Sequence, residues 1–426
     1  MKNGFVRLAA AIPELRVADC AFNIARITDL VLRAEAEKVQ VVCFPELSIT
    51  GYTCADLFYQ HQLLSDAENA LRDLQKLTFS ISAVIIVGMP LRVQHQIFNT
   101  AVVLQSGRIL GIVPKTNLPN NNEFYEKRWF TSGANVQTQT VTLAGENIPF
   151  GIDLIFSNGE FSFGIELCED LWVPIPPSSQ LALHGAEVIF NLSASNELIG
   201  KHHYLRQLIE QQSARCISGY VYASAGAGES TTDVVFSGNG LIAENGKFIA
   251  TSERFSFDSQ LIVSDLDIER LQADRIRNSN FGNGKSEQAY RTIDFKTVQS
   301  NDLLLKRTYD KHPFVPPLSN RDESCEEIFS IQVGGLAKRW QHTHSENVVV
   351  GISGGLDSTT CMAVAKEKGL ELYPISFDYH QRHSIELEGA KKVAEYYGVK
   401  KHLIIETNME QIGGSALTDT KIDVPE

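Results

Sequence analysis

The chain has 426 residues and a formal net charge of −13, with 43% hydrophobic and 21% charged residues. This is the balance of a globular protein with a large core, and the acidic excess argues against a nucleic-acid or anionic-membrane surface. No apolar run reaches the ~18 residues of a membrane helix. "MKNGFVRLAAAIPELRVADC" is a poor signal peptide, and seven scattered cysteines without a Cys-x-x-Cys argue against a zinc cage or disulfide framework and fit a reducing, cytoplasmic setting.

The elements come in chain order. "FVRLAAAI" (5–12) predicts a strand, and Ile24, Ile27, Val31 and Ala34 recur at helical spacing over 18–38. "VQVVCF" (39–44) and "AVIIVG" (83–88) are buried strands. Residues 99–115 form a hairpin turning at Ser106-Gly107. "EVIFNLSAS" (187–195) and "GYVYASAG" (219–226) are strands separated by a helix at about 201–215. "NGLIAENGKFIATSE" (239–253) is a hairpin with an Asn-Gly turn. Such alternation predicts an α/β sandwich of sheets covered by helices, over residues 1–270. Composition turns polar at about 271, and "HPFVPPLSN" carries three prolines, so 271–322 reads as a surface linker. A second α/β unit occupies 323–426: helix 323–340, strand 347–352, helix 357–368, strand 371–377, helix 384–398, strand 401–406.

Three strand ends carry polar groups. Glu46 lies in "FPELSITGY", Lys115 in "VPKTNLP" and Cys168 in "FGIELCEDLW". A carboxylate that removes a thiol proton, a thiolate that attacks a carbonyl carbon and an ammonium that stabilises the oxyanion would together form a thioester. Singly, such residues are more often a turn carboxylate, a surface cation and an inert buried thiol.

These segments, with "EFYEKRWF", "NLSASNELIGK" and "SARCISGYVYASAGAGESTTD", resemble the nitrilase superfamily and, more closely, the glutaminase domain of glutamine-dependent NAD synthetases. The resemblance covers about residues 4 to 345. It implies a nitrilase-type α-β-β-α sandwich, with Glu46 as general base, Lys115 as oxyanion stabiliser and Cys168 as nucleophile. It also implies glutamine contacts from Ser195 and Lys201, supported by Tyr52 and Glu169. Where many members carry a tyrosine six residues after the lysine, this chain has Asn121.

"ENVVVGISGGLDSTT" places Ser-Gly-Gly-x-Asp-Ser between a strand and a helix. Glycines there let backbone amides and a helix N-terminus approach a phosphate. Gly351, Ile352, Ser353, Gly354, Gly355, Leu356, Asp357 and Ser358 are the candidate ATP residues, with Asp357 serving the helix start or a magnesium ion. The motif resembles the PP-loop of N-type ATP pyrophosphatases, which implies a Rossmann-like, adenine nucleotide alpha hydrolase-like parallel domain. The longer stretch from the motif onward, "SGGLDSTTCMAVAKEKGLELYPISFDYHQRHSIELEGAKKVAEYYGV", resembles 7-cyano-7-deazaguanine synthases, as does "IGGSALTDTKIDVPE". The usual glycine before "QRH" is His380 here, and that family's remaining strands and cysteine cluster would fall beyond Glu426. The expectation is therefore a partial synthetase domain, whether fragment, fusion or frameshifted product. "SNFGNGKSEQ" is not a Walker loop, because residue 279 is Ser and no apolar strand precedes it. His202-His203 and the pair His380 and His383 lack a third ligand at sensible spacing, so no metal site of protein ligands is expected.

Three readings stand. The first is a glutamine-dependent amidotransferase of the NAD synthetase type, in which ammonia serves an adenylylating amidation of deamido-NAD with ATP and Mg2+. The second is a glutaminase fused to a deazaguanine nitrile synthase acting on the carboxy-deazaguanine. The third is a non-catalytic oligomeric scaffold. The synthetase resemblance implies a homo-oligomer, small-molecule substrates, and no bound organic cofactor.

Overall fold

The protein is described from a computed structural model, which covers residues 4–143, 145–297, 304–309, 312, 314–316, 318–344, 348–351, 355–378 and 385–407. Two compact units, Met1–Thr308 and Tyr309–Glu426, make up the chain.

In the first unit, β1 (Phe5–Ile12) leads to α1 (Cys20–Ala36) and β2 (Val41–Cys43). Then come α2 (His61–Leu77), β3 (Val84–Val93), β4 (Gln96–Gln105) and β5 (Arg108–Pro114). β6 (Thr140–Leu143) and β7 (Glu146–Pro149) form a small hairpin ahead of β8 (Leu154–Ser157) and β9 (Ser162–Leu167). Next are α3 (Pro177–Leu183), β10 (Val188–Ser193), α4 (Lys201–Arg215) and β11 (Gly219–Ser224). The unit ends with β12 (Gly240–Glu244), β13 (Lys247–Thr251), β14 (Gln260–Asp267), α5 (Ile268–Arg277) and β15 (Arg291–Asp294).

One six-stranded sheet runs β14-β1-β2-β3-β4-β5, and a seven-stranded sheet runs β13-β12-β11-β10-β9-β8-β15. β1, β2 and β3 are parallel, as are β9, β10 and β11, while the flanking hairpins are antiparallel. The strands alternate, but both faces are apolar, because each sheet is covered twice. Val6, Leu8, Ala10 and Ile12 of β1 pack with Phe163, Ile165 and Leu167 of β9 and Phe190 of β10 between the sheets. Ala9 and Ala11 face the opposite way, where Ile27, Leu30 and Val31 of α1 and Leu71 and Leu74 of α2 cover the first sheet. Leu181 of α3 and Leu205 and Ile209 of α4 cover the second. The result is the expected α-β-β-α sandwich.

The stretch expected as linker folds differently at its start. α5 spans residue 271, and β15 adds to the second sheet, parallel to β8. Its polar side chains anchor it: Arg275 donates to the carbonyls of Ile217, Ala186 and Cys216, and Arg291 pairs with Asp153 and donates to the Phe150 carbonyl. Composition here encoded attachment to backbone carbonyls and a carboxylate, which in sequence looks the same as solvation.

The second unit contains α6 (Arg321–Thr343), β16 (Val348–Gly351), α7 (Leu356–Glu367), β17 (Leu372–Asp378), α8 (Ile385–Tyr396) and β18 (Leu403–Glu406). Among the described residues its sheet is β16-β17-β18, all parallel, a Rossmann-like arrangement. Met362 and Ala365 of α7, Leu372 of β17, and Ala390 and Ala394 of α8 form its small core.

Candidate active site

Glu46 comes after β2, Lys115 after β5 and Cys168 after β9, so both sheets contribute to one end of the sandwich. Their loops are tied to neighbouring strands. The Glu46 amide donates to the Ser193 carbonyl at 3.3 Å, and the Lys115 amide donates to the Asn99 carbonyl at 2.8 Å. Gly88 of β3 lets the Glu46 loop lie on the sheet: a Cβ there would sit 2.3 Å from the Leu47 amide and 2.6 Å from the Pro45 carbonyl. Gly133 plays the same part for the lysine loop, donating its amide to the Lys115 carbonyl at 2.7 Å.

The charges converge in a fully buried cluster. Lys115 Nζ donates to Glu46 Oε1 and to Glu126 Oε1, each at 2.7 Å. Asn99 Nδ2 donates to the same Glu46 oxygen at 2.6 Å, and the Tyr52 hydroxyl donates to the same Glu126 oxygen at 2.8 Å. The second oxygen of each carboxylate, Oε2, is buried with no hydrogen-bond partner among the described residues. Buried carboxylate oxygens normally hold hydrogen bonds. Such a pair of buried carboxylate oxygens is suited to receiving a proton or a polar substrate.

Burial pushes the Glu126 carboxyl up to about 7, aided by the Glu46 charge and opposed by Lys115. Burial acts against the Lys115 cation, but Glu126 and Glu46 together outweigh it and hold its pKa well above the usual value. Burial also pushes the Cys168 thiol up to about 12, with Glu46 adding to the rise and Lys115 opposing it. Cys168 therefore rests as a thiol, and attack by its sulfur would require a base at hand.

Cys168 has φ 41°, in the left-handed region that a non-glycine residue rarely occupies. Such strain costs on the order of 1–3 kcal/mol and must be held by its surroundings. Asp170 is one holder. It accepts from Leu167 N at 3.0 Å, Asn117 N at 2.7 Å and Asn117 Nδ2 at 2.8 Å, locking the cysteine turn to the loop after Lys115.

The remaining expected residues lie around this cluster. Tyr52 is bound to Glu126, and its ring packs edge-on against Phe124 and Phe236. Ser195 is buried after β10, and its amide donates to Ser224 Oγ at 3.2 Å. Lys201 opens α4. Its ammonium donates to Asn196 Oδ1 at 2.6 Å and lies over the rings of Trp172 and Phe124 at 5.4 and 5.5 Å. Asn196 in turn donates to Glu123 at 2.6 Å. Burial lowers the Lys201 pKa and raises that of half-buried Glu169, with Lys115 opposing the latter. Asn121 is exposed. A cavity of about 210 Å³ lies beside Tyr52 and Phe124, edged by Tyr125 and Trp129. It adjoins the charged cluster through Tyr52, and Cys168 is not in its wall.

Sequence reasoning missed Glu126 and Asn99. Glu126 sits on a single 3-10 turn, Glu126–Arg128, with no strand end to mark it. Its only signal was membership in "EFYEKRWF". Asn99 lies inside β4, where nothing in the pattern distinguishes it from a ladder residue.

In the second unit the described residues of the motif lie at the end of a strand and the start of a helix, as expected. β16 ends at Gly351 and α7 starts at Leu356, with Gly355 at its N-cap. Thr359 Oγ1 donates to the Gly355 carbonyl at 2.8 Å, and Gln332 Nε2 of α6 donates to Asp357 Oδ1 at 3.0 Å. Ile352, Ser353 and Gly354, and His380 and His383, lie outside the described residues. Among the described residues, no group of three His, Cys, Asp or Glu is placed to hold a metal ion, and no helix is long and apolar enough to cross a membrane.

Comparison with known proteins shows the same division. Residues 347–426 match the family model of queuosine biosynthesis protein QueC. The glutamine-dependent NAD(+) synthetase of Mycobacterium tuberculosis (strain ATCC 25618 / H37Rv) is 40% identical over 374 residues, covering 85% of this chain and 55% of that protein. The chain thus spans about half the length of that curated relative. The glutamine-dependent NAD+ synthetase of Acinetobacter baumannii, solved in complex with ADP, superposes with a TM-score of 0.54 at 21% identity, covering 94% of this chain and 65% of that one. A nitrilase-superfamily amidase from Nesterenkonia AN1 gives a TM-score of 0.51 at 19% identity, covering 65% of this chain and 98% of its own. Residues 7–276 match the carbon-nitrogen hydrolase family model, and this segment, well over half of the sequence and holding every group of the buried cluster, makes the chain a member of the carbon-nitrogen hydrolase family.

Proposed function

We propose that the first unit hydrolyses glutamine through a thioester on Cys168, and that the ammonia serves an ATP-dependent amidation of the NAD synthetase type. The observation that carries this reading is the buried ammonium of Lys115 held between Glu46 and Glu126 at 2.7 Å each, with Cys168 in their field. In the reaction Glu46 takes the thiol proton as Sγ bonds to the amide carbon. Lys115 stabilises the oxyanion. The C–N bond breaks as Glu46 returns the proton to the leaving nitrogen, releasing ammonia. Water, deprotonated by Glu46, then cleaves the thioester to glutamate and restores the thiol. Glu126 and Tyr52 hold Lys115 in place through the cycle. Lys201, Ser195 and Glu169 are polar groups suited to the amino-acid end of glutamine.

For the second unit, the similarity to glutamine-dependent NAD(+) synthetases over 85% of the chain supports deamido-NAD as acceptor, with ATP and Mg2+ at Gly351–Ser358. The relative solved with ADP supports the nucleotide. The match of residues 347–426 to QueC supports a second reading, ammonia supply to 7-cyano-7-deazaguanine synthesis. A homo-oligomer belongs to the same proposal, as the resemblance to the synthetases implies. The test supplies glutamine, ATP and magnesium with either deamido-NAD or the carboxy-deazaguanine and measures product. NAD formation supports the first reading, nitrile formation the second. Ammonia release with neither product limits the activity of this chain to the glutaminase step. No ammonia release sinks the proposal.

A further inference from the structure

We propose that Asn191 is a positioning residue that holds the strained backbone of Cys168 in its reactive orientation. The inference rests on the glutaminase reading above and extends it to a side chain that reading does not use. Asn191 lies on β10, next to β9, and is fully buried. Its Oδ1 accepts the Cys168 amide at 3.2 Å and the Ser193 hydroxyl at 2.7 Å. Its Nδ2 donates to the Tyr220 oxygen at 2.9 Å. The Tyr220 hydroxyl is spoken for, because it donates to Glu166 Oε1, and the same carboxylate accepts the Ser178 amide at 2.8 Å.

This chain of hydrogen bonds fixes the amide's orientation. With Glu166 ionised, Tyr220 gives its proton to that carboxylate and can only accept from Asn191, so the amide nitrogen must face Tyr220. The amide oxygen must then face Cys168. A carboxylate anchors one end of the network, and the backbone amide of the nucleophile forms the other. Cys168 at φ 41° needs such restraint, because an unrestrained cysteine relaxes out of the left-handed region. Rotation of this peptide would swing Sγ away from Glu46 and Lys115. The side-chain hydrogen bonds of Asn191 go to Cys168, Ser193, Tyr220 and Glu166, and to none of Glu46, Lys115 and Glu126 among the described residues, so its direct link to the proposed triad is the cysteine backbone, and Cys168 alkylation separates this route from the indirect one through Ser193, whose carbonyl accepts the Glu46 amide.

The test compares Asn191→Ala and Asn191→Asp with the native chain in three measurements: glutamine kcat and KM, the rate of Cys168 alkylation by iodoacetamide, and the melting temperature. Asn191→Ala is expected to lower kcat about 100-fold with KM within threefold, in keeping with loss of alignment rather than of binding. Alkylation of Cys168 should slow about tenfold. Asn191→Asp keeps an oxygen for the cysteine amide and should recover at least tenfold of the lost kcat. A folded Asn191→Ala with kcat and alkylation within threefold of native overturns the proposal, as does a folded Asn191→Asp no more active than the alanine variant. If Asn191→Ala fails to fold, the aspartate variant decides alone: kcat within tenfold of native supports positioning, and a larger loss overturns it. Should the native chain release no ammonia from glutamine, the functional reading fails, and alkylation rates still judge the role of Asn191 separately.

Discussion

Lys115 and Glu126 form a buried ion pair at 2.7 Å in which neither side chain exceeds 1% exposure. The same ammonium meets Glu46 at the same distance. One cation between two carboxylates leaves a net negative cluster out of contact with water. Burial raises the Glu126 carboxyl to about 7, with the Glu46 charge adding to the rise and Lys115 opposing it. The roles of its members can be separated by substitution.

Cys168→Ala should reduce ammonia release from glutamine by about 10³-fold or more, because nucleophile and base act as a unit. The fold should persist, since alanine fills most of the thiol's place. Near-native release by this variant would rule Cys168 out as nucleophile.

Glu46→Gln should abolish turnover and leave glutamine binding largely intact, because an amide cannot take the thiol proton. Lys115→Ala should cost roughly 3 kcal/mol of transition-state stabilisation, as for a lost oxyanion donor. Glu126→Gln should be milder, on the order of tenfold to a hundredfold in kcat, because Lys115 keeps Glu46 as partner. Steady-state kinetics with glutamine check the order. A Glu126 variant more damaged than the Glu46 variant would exchange the two roles.

Gly88→Ala should destabilise the protein by about 1–3 kcal/mol and lower kcat, because the new methyl would meet the Leu47 amide at 2.3 Å. The loop that carries Glu46 must then move. Thermal melts and kinetics on the same sample test this. A stable, fully active variant would show that the loop position does not matter.

Glu166 makes stability depend on pH. Burial pushes its carboxyl up to about 7 from 4.5. Between these values the folded state binds the proton and the unfolded state releases it. Stability is therefore full below about pH 4.5 and falls as pH rises through about 7, by up to ~3 kcal/mol from this group. Glu166→Gln should flatten that part of the curve. Denaturant melts at a series of pH values check it, and an unchanged slope in the variant would remove Glu166 as the cause.

The sequence by itself determined most elements. A short apolar run located β1, helical spacing located α1, and the segments read as strand, helix and strand over 187–226 located β10, α4 and β11, while Asn245-Gly246 marked the β12–β13 turn, because local patterns of burial and turn chemistry set these. The positions of Glu46, Lys115 and Cys168 at strand ends were legible, as were the strand ending at Gly351 and the helix starting at Leu356. The resemblance, not the spacing, selected those three residues from many others of their type. Only the tertiary structure decided what surrounds them. Glu126 on an isolated turn, Asn99 inside a strand and Asn191 against the Cys168 amide come together across separations of 11, 53 and 23 residues. Residues 271–294 look like a solvated linker but are fixed to the second sheet by Arg275 and Arg291. In each case a polar side chain has the same local signature whether it meets water, a backbone carbonyl or a buried charge. Its partner is chosen by the packing of the two sheets, which no stretch of sequence specifies alone.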